Sequence, residues 1–450
     1  MLNANRRRVT SRGTTGKACR MISCMAALPE PSLVLSFEEA RHLVDEHATR
    51  LQPRGKELLE LLESAGRVLA EPVPADRNFP PFHRAMRDGY AVRAADLSPL
   101  PATLDVIGEI KAGARQDGLP TLQPGQTVAI MTGAPAPPGS DAVVMVEHTS
   151  LVGSRVQIMT GAAAGENIAT AGSEAKRGEL LLSKGRRLDY AAIAIAASTG
   201  RSRLLVYRKP QVAILATGDE IVDIDVPLAP HQIRNSNSYS LAAQVQMAGG
   251  EPVILPIAPD EPQRLRELIA DGLEADLLLL AGGVSMGKYD LVEPILAESQ
   301  AEFFFTGVRI QPGKPVVFGR VPQGRGRIAD EQPASTPEHV YFFGLPGNPV
   351  STMVTFELFA RPVIEALAGM TPRKLVFLSA TLKSEIKTKT GLKRFLPAIL
   401  SGEFEHAEVE LARWHGSGDV AAMARSNCYI VIPPDRERIA AGEWVPVLMM

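Results

Sequence analysis

The segment from about residue 204 to residue 370 most constrains the fold, because it alternates short apolar runs with helix-forming stretches. Apolar runs at 212–216, 277–280 and 341–343 each end in a glycine-containing loop, and helical stretches begin after Asn235, at Pro262 and after Asn348. Asn348 before Pro349 is a typical helix start, with asparagine as N-cap and proline at the first helical position. Strands that alternate with helices favour a parallel sheet covered on both faces. The sequence therefore predicts a parallel-sheet α/β domain over residues 205–370.

The flanking segments predict a multidomain chain of the class α/β plus β. Ser36, followed three positions later by Glu39, has the pattern of a capping box, so we expect a helix from residue 37 and a second helix over 55–70. Short strands between Pro and Gly turns predict a β domain at 79–165, inserted between the two parts, 31–78 and 166–204, of a small helical domain. A C-terminal β domain is expected at 371–450.

Composition excludes several classes of protein. A formal net charge of -2 supplies no basic field for nucleic acid. The longest apolar stretches fall short of the roughly 18 residues of a membrane-spanning helix. The three cysteines, Cys19, Cys24 and Cys428, form neither a CxxC pair nor a cluster with histidines. We therefore expect a soluble, cytoplasmic protein without disulfides, structural zinc, nucleic acid or membrane partners.

The N-terminus has its own composition. The first 29 residues contain six Lys or Arg and no Asp or Glu, which is also typical of organelle transit peptides. The preferred interpretation is a disordered N-terminal extension over 1–30, with Met21 or Met25 as the working start.

Three glycine-containing loops follow the apolar runs, at 217–220, 282–285 and 344–348. In a parallel sheet these loops lie along one edge, where open α/β folds bind ligands. Glycines let backbone N–H groups approach phosphate oxygens, and helix N-termini favour anions. One such loop is explained by an ordinary tight turn, whereas three favour a phosphate site. A P-loop is disfavoured, because Tyr289 replaces the small hydroxyl residue expected after Lys288.

Acidic residues add a metal hypothesis to this edge. Asp219, Glu220, Asp260 and Asp290 all fall at or near predicted strand ends. Carboxylates that repel one another in one crevice favour a cation between them, which indicates magnesium. Each carboxylate alone is equally compatible with a solvated loop.

Six motifs occur in order over nearly all of residues 31–450: RDGYAVRAAD, MTGAP, TGDE, GGVSMGKYD, QPGKP and GLPGNPVS. In this combination the chain resembles the molybdopterin molybdenumtransferase family, which includes MoeA and the E domain of gephyrin. The resemblance implies a molybdopterin-binding, MogA-like α/β domain and a homodimer with four domains per subunit, in which the helical domain serves dimerisation. It also implies the activity, which is magnesium-dependent insertion of molybdate into adenylylated molybdopterin with release of AMP, in molybdenum cofactor biosynthesis.

The resemblance assigns roles to residues in the matching motifs. The cleft would lie between the α/β domain of one subunit and the β domain of the other. The implied catalytic residues are Asp88 and Thr132 from the β domain with Glu220, Asp260 and Asp290 from the α/β domain. Asp260, Asp290 and Glu220 would also hold the metal. The residues implied in binding the pterin nucleotide are Thr217, Gly218, Asp219, Gly282, Gly283, Val284, Ser285, Lys314, Pro346, Gly347, Asn348 and Ser417. Molybdate is a dianion, for which Lys314 and Arg309 are the nearest candidates.

Two departures from the family pattern remove positive charge. The arginines common in bacterial relatives are absent before Glu174, and Gln311 stands where a lysine is expected. Two other functions stay open. One is the adenylyltransferase that makes the preceding intermediate, since it uses a related α/β domain, and that enzyme is also a candidate partner. The other is a scaffold role like the receptor clustering of gephyrin.

Overall fold

The computed structural model describes residues 33–283, 291–322, 339–371, 373–403 and 406–450. The expected N-terminal extension therefore lies outside the described residues, as do Val284, Ser285 and Asp290. No helix in the described ranges combines the length and apolar character needed to cross a membrane. The helices are α1 Phe37–Arg50, α2 Tyr190–Ser198, α3 Ser236–Ala248, α4 Pro262–Gly272, α5 Val292–Glu298, α6 Pro349–Thr355, α7 Arg361–Leu367 and α8 Val420–Arg425, with a π-helical turn at Phe356–Ala360 between α6 and α7.

Helix α1 begins with the predicted capping box. The Glu39 N–H donates to Ser36 Oγ over 3.2 Å, and the Ser36 N–H donates to the Glu39 carboxylate over 2.8 Å. Its apolar face, which includes Ala40 and Val44, is fully buried. This face joins the core of the α/β unit, where α1 packs against α7. The first helix is thus part of the α/β core, although 160 residues of chain separate it from the first strand of that sheet.

The predicted second helix over 55–70 is wrong. Residues Lys56–Glu60 form a strand, which pairs in antiparallel register with Arg203–Tyr207. The leucines of this segment fit the spacing of a helix as well as that of a strand. The segment is a strand because Arg203–Tyr207 offers its backbone groups for pairing. The strands of this part are β1 Val34–Leu35, β2 Lys56–Glu60, β3 Val73–Pro74, β4 Arg84–Ala85, β5 Gly89–Val92, β6 Ala102–Ile110, β7 Gln126–Ile130, β8 Ala142–Met145, β9 Thr149–Val152, β10 Arg155–Ile158, β11 Ile168–Ala169, β12 Leu180–Leu182 and β13 Arg203–Tyr207.

The inserted β domain is built on one six-stranded sheet. Its strand order is β8-β5-β7-β6-β10-β9, and the neighbours are antiparallel except for the parallel pair of β6 and β7. Two apolar clusters cover it, one around Val128 and Val143 and the other around Val144 and Val156. This agrees with the predicted inserted β domain.

The α/β unit contains a six-stranded sheet of order β17-β14-β18-β23-β22-β19. The first four strands are parallel, as predicted, and the last two add an antiparallel edge that the sequence did not indicate. Successive side chains of β14 join the hydrophobic cores on opposite faces of the sheet: Ile214 packs with Leu241 of α3, and Leu215 packs with Leu268 of α4. Both faces are therefore covered. The strands are β14 Gln211–Ala216, β15 Ile221–Val222, β16 Ile233–Arg234, β17 Glu251–Ile254, β18 Leu277–Ala281, β19 Glu302–Phe305, β20 Gly307–Val308, β21 Ile310–Gln311, β22 Val317–Pro322 and β23 His339–Leu345.

The C-terminal unit is a barrel. Its sheet has the order β21-β26-β27-β24-β30-β28, and a further pairing of β26 with β28 closes it. The predicted C-terminal β domain is thereby confirmed, while the residue boundaries between the domains stay a prediction. The strands are β24 Phe377–Leu382, β25 Ile386–Lys387, β26 Lys393–Ser401, β27 Glu408–Leu411, β28 Cys428–Ile432, β29 Arg438–Ile439 and β30 Trp444–Met449.

Candidate active site

Three neighbouring parallel strands of the α/β sheet end at the same level. Ala216 of β14 lies opposite Ala281 of β18, which lies opposite Leu345 of β23. The chain first adds β17 on one side of β14 and then returns to place β18 on the other side. The strand order thus reverses between β14 and β18, which is where open α/β sheets form a ligand crevice.

A cleft of about 780 Å³ lies at these strand ends. Nine of the residues proposed from the sequence line it. These are Thr217, Gly218, Glu220, Asp260, Gly282, Gly283, Pro346, Gly347 and Asn348. The predicted gathering of the three glycine loops is therefore present, although Val284, Ser285 and Asp290 lie outside the described part of the chain.

Gly282 and Gly283 pass close to the end of β14. Their φ angles are +100° and +64°, and a Cβ atom on either would lie about 3 Å from Thr217 oxygen atoms. Only glycine fits this approach without strain.

Two of the loop N–H groups are already used within the fold. The Gly282 N–H donates to the Leu345 carbonyl over 3.1 Å, and the Gly218 N–H donates to the Ala258 carbonyl over 3.2 Å. Both N–H groups thus serve the packing of the loops. That Gly282 and Gly218 also contact a phosphate stays a prediction.

Three carboxylates meet at one side of the cleft. Glu220 and Asp260 line it, whereas Asp219 turns back and accepts a hydrogen bond of 3.0 Å from the Asp260 N–H. Burial, together with the nearby charges of Asp219 and Glu220, raises the pKa of Asp260. A bound cation would relieve this repulsion.

These residues suit a magnesium ion that also binds substrate. The described residues contain no cluster of three or more His, Cys, Asp or Glu at ligating distance. Magnesium in phosphate-transfer sites is held by one or two carboxylates, waters and substrate phosphates. Glu220 and Asp260 would be the two protein carboxylates of such a site.

The start of α3 lines the cleft and was missed by the sequence analysis. Asn235 caps the helix by accepting from the Ser238 N–H over 3.1 Å, and Asn237 Nδ2 donates to the Gly347 carbonyl over 2.7 Å. Asn235, Asn237 and Arg234 all line the cleft. The predicted helix after Asn235 was a usable signal, because its N-terminus lies at the same edge as the strand ends.

The barrel supplies one wall of the cleft through Gly418 and Val420. Ser417 is not a lining residue, but its carbonyl accepts from the Val350 N–H over 2.9 Å, so it supports the first turn of α6. Lys314 is exposed and does not line the cleft, although the next residue, Pro315, does.

Gln311 has a cationic neighbour. Arg394 Nε donates to Gln311 Oε1 over 2.9 Å, and only 6% of Arg394 is exposed. The glutamine therefore holds a buried guanidinium near the position where a lysine was expected.

Asp88 and Thr132 form a separate group in the β domain. The Thr132 N–H donates to Asp88 Oδ1 over 2.6 Å, and the Thr132 backbone and side-chain hydrogen bonds lower the pKa of Asp88. None of the described residues that line the cleft comes from 79–165. Glu174, which follows this range in the chain, forms an ion pair of 2.7 Å with Arg84 of the β domain.

Comparisons with known proteins match every part of this architecture. Residues 35–200 match the family described as MoeA N-terminal region (domain I and II), residues 213–366 match a probable molybdopterin binding domain, and residues 379–450 match the MoeA C-terminal region (domain IV). The molybdopterin molybdenumtransferase of Nostoc sp. is 36% identical over 403 residues, which cover 88% of this chain and 88% of the relative. The molybdopterin molybdenumtransferase of Haemophilus influenzae is 33% identical and covers 88% and 94%.

Solved structures agree with the sequence comparisons. The molybdopterin biosynthesis moeA protein from Pyrococcus horikoshii OT3 is 28% identical, with a TM-score of 0.72 over 93% of this chain and 100% of that chain. The identity to the Nostoc relative and its coverage decide the assignment. The chain therefore belongs to the molybdopterin molybdenumtransferase family of enzymes.

Proposed function

We propose that this enzyme inserts molybdenum from molybdate into adenylylated molybdopterin, with magnesium dependence and release of AMP. The name shared by the relatives supports a role in molybdenum cofactor biosynthesis. The observation that carries the proposal is the cleft at the ends of β14, β18 and β23, which is lined by two carboxylates and by a helix N-terminus. A phosphate-containing pterin and a cation suit this combination. The cytoplasmic location and the adenylyltransferase partner stay predictions.

The helix N-terminus is the proposed phosphate side of the cleft. Ser236 and Asn237 belong to the first turn of α3, a 13-residue helix, and both line the cleft. The N–H groups of a first helical turn and the helix dipole favour an anion there. Asn237 keeps the Gly347 loop beside this turn through its 2.7 Å hydrogen bond.

Glu220 and Asp260 are the proposed protein ligands of magnesium, with Asp290 as a further candidate outside the described residues. When bound, magnesium supplies positive charge that offsets the charge of phosphate oxygens. Asp219 positions Asp260 by accepting its N–H.

Asp88 and Thr132 are proposed to act in the cleft of a partner subunit within a homodimer. The hydrogen bonds from Thr132 lower the pKa of the Asp88 carboxylate, which is exposed. An exposed, fixed carboxylate outside the cleft of its own chain suits a site that is completed by a second copy.

The direct test is a reconstituted reaction. Purified enzyme is incubated with adenylylated molybdopterin, magnesium and molybdate, and both AMP and metal-loaded pterin are measured. We expect both products, and neither when molybdate or magnesium is omitted. AMP that forms without dependence on molybdate would contradict insertion, and pyrophosphate from ATP and molybdopterin would indicate the adenylyltransferase instead.

The shared site is tested by mixing two inactive variants. Asp88→Asn and Asp260→Asn are unfolded together, refolded and assayed. In mixed dimers one cleft combines an intact Asp88 with an intact Asp260, so about a quarter of wild-type activity should return. Each variant refolded alone is the control. No recovery, although mixed dimers form, would show that Asp88 does not serve the partner's cleft.

A further inference from the structure

The described lining of the cleft has little positive charge for an anionic ligand. Among the described residues that line it, Glu220 and Asp260 carry carboxylates, and Arg234 carries the one basic side chain. Phosphate oxygens are bound by cationic groups or N–H donors, and charge-assisted hydrogen bonds are the stronger of these. Arg234 is therefore the side chain in the described cleft that best suits an anion.

The backbone of Arg234 is fixed beside the carboxylate loop. In the pairing of β15 with β16, Arg234 lies opposite Val222, and the Asn235 N–H donates to the Val222 carbonyl over 2.9 Å. One residue earlier, the Ile233 N–H donates to the Glu220 carbonyl over 2.9 Å. The two strands form a short ribbon that carries Arg234 at the cleft.

Among the described residues, the guanidinium of Arg234 has a hydrogen-bond partner at Nε and none at Nη1 or Nη2. Nε donates to the Ile224 carbonyl over 3.0 Å. Within the described residues, no carboxylate forms an ion pair with Arg234, whereas Arg264 and Arg266 in the same α/β unit pair with Glu267 and Glu298. No described residue therefore occupies the four N–H groups on Nη1 and Nη2, which form a fork that matches two oxygens of an oxyanion.

We propose that Arg234 binds a tetrahedral oxyanion in the cleft, and that this oxyanion is a phosphate of the bound nucleotide. The inference rests on the proposed function, since it needs a nucleotide in the cleft. Two places in the chain lack the basic residues that the family pattern has there, namely Gln311 and the segment before Glu174. In the proposal, the β15–β16 ribbon supplies positive charge through Arg234.

The test compares ligands with and without phosphate. AMP and adenosine are titrated by calorimetry into the wild-type enzyme, Arg234→Gln, Arg234→Lys and the control Arg264→Gln. We expect Arg234→Gln to weaken AMP binding about tenfold, which corresponds to one charge-assisted contact, and to leave adenosine binding unchanged. Arg234→Lys should fall between the two, because it keeps the charge and loses the fork. Arg264→Gln should match the wild type.

Three outcomes overturn the inference. The first is an unchanged AMP affinity in Arg234→Gln. The second is an equal loss of AMP and adenosine binding, which indicates a structural role of the ribbon. The third is a loss that is seen only when molybdate is titrated in parallel, which assigns the contact to the free oxyanion. A wild-type enzyme that binds neither AMP nor adenosine overturns the proposed function, and the inference with it. AMP binding that does not change when Arg234 is substituted overturns the inference and leaves the proposed function standing. Melting curves of each variant verify that it is folded.

Discussion

Gly283 lies where the loop after β18 passes close to β14, and this contact leaves little room for a side chain. A Cβ at Gly283 would lie 2.9 Å from both Thr217 Oγ1 and Val292 Cγ2. Gly249, at the end of α3, has a similar positive φ of +95°, but its Cβ would meet only Ala368 Cβ at an ordinary 3.8 Å. Substitutions at Gly283 and Gly249 can therefore be compared to separate the cost of steric overlap from the cost of backbone strain.

We expect Gly283→Ala to destabilise the α/β unit by about 1–3 kcal/mol more than Gly249→Ala, the typical cost of forcing extra atoms into a packed site. Both variants carry the penalty of a positive φ, so their difference reports the overlap. The measurement is urea unfolding followed by a signal from the α/β unit. Equal destabilisation of the two variants would show that the loop yields without cost.

At Asp260, activity and stability should change in opposite directions. The pKa of Asp260 is raised by burial and by Asp219 and Glu220, so its ionised form opposes folding. The sign follows from linkage: this cost is present at neutral pH and disappears as pH falls below the ordinary carboxyl value of 3.8.

Asp260→Asn should therefore raise the melting temperature slightly at neutral pH, with a gain that shrinks towards pH 3.8. Magnesium should stabilise the wild type more than this variant, because a ligand that binds the folded state raises its stability. Transferase activity should fall about a hundredfold or more, since metal-assisted charge stabilisation is worth several kcal/mol. An Asp260→Asn variant that keeps full activity would remove Asp260 from the site.

Sequence motifs located nine of the described residues that line the cleft, but not the direction of their atoms. The glycines and carboxylates could be proposed because they follow apolar runs whose ends must meet in a parallel sheet. Asn237 and Arg234 could not, because their positions depend on how α3 and the β15–β16 ribbon fold back over the strand ends. Asp219 was proposed to bind nucleotide, and it contacts the Asp260 backbone instead of lining the cleft.

At the scale of elements, a buried histidine ties α1 to β23. His47 Nδ1 lies 3.1 Å from the Tyr341 hydroxyl, and its ring lies against Phe304 with centroids 4.0 Å apart. Burial, reinforced by the charges of Arg320 and Arg50, lowers the pKa of His47, while Glu46 and Glu302 act in the opposite direction more weakly. The folded protein thus favours the neutral ring.

The helix contact should weaken in acid. Because the folded pKa of His47 is lowered, its contribution is fully present above the ordinary value of 6.5 and is lost as pH falls from there towards the folded pKa. His47→Phe should remove this part of the pH dependence while keeping the ring packing. Unfolding free energies measured on both sides of pH 6.5 provide the check, with exposed His42→Phe on the same helix as control. An identical slope in wild type and His47→Phe would exclude the effect.

The elements that could be predicted are those whose periodicity and caps agree. Helix α1 carries its capping box, and β14, β18 and β23 are apolar runs bounded by glycine. Strand β2 was missed because its leucines fit both a helix and a strand, and its partner β13 lies almost 150 residues away. The antiparallel edge of β22 and β19 was missed for another reason: its strands are close in the chain, but alternating strands and helices predict parallel neighbours and give no signal for an antiparallel edge.

At the scale of the whole molecule, the position of α1 shows that the inserted segment is longer than the predicted β domain. Helix α1 belongs to the α/β core, so residues 56–207 form a single excursion between α1 and β14. The excursion leaves and returns at one place: the Arg208 N–H lies 3.4 Å from the Gly55 carbonyl, and β2 pairs with β13. Sequence texture indicated an inserted β domain, but it did not reveal that the first helix stands outside the inserted part.

A chain in which Gly55 is joined directly to Arg208 should therefore fold. We expect it to retain the cleft and its affinity for AMP within about threefold, since no described cleft residue comes from the excursion. It should lack transferase activity, because Asp88 and Thr132 are removed. Calorimetry with AMP and a melting curve are the measurements. A shortened chain that folds but no longer binds AMP would show that the excursion shapes the cleft.

The closed barrel has a consequence for the gene. Strand β30, the last of the chain, pairs with both β24 and β28, and the barrel wall continues through β26 into β21 of the α/β unit. A stop codon shortly before Trp444 would remove β30, so β24 would keep only β27 and β28 only β26 as a neighbour, and the barrel that carries Gly418 and Val420 to the cleft would be open. Truncations that remove only β30 should therefore behave like those that remove the whole barrel, as complete losses of transferase activity.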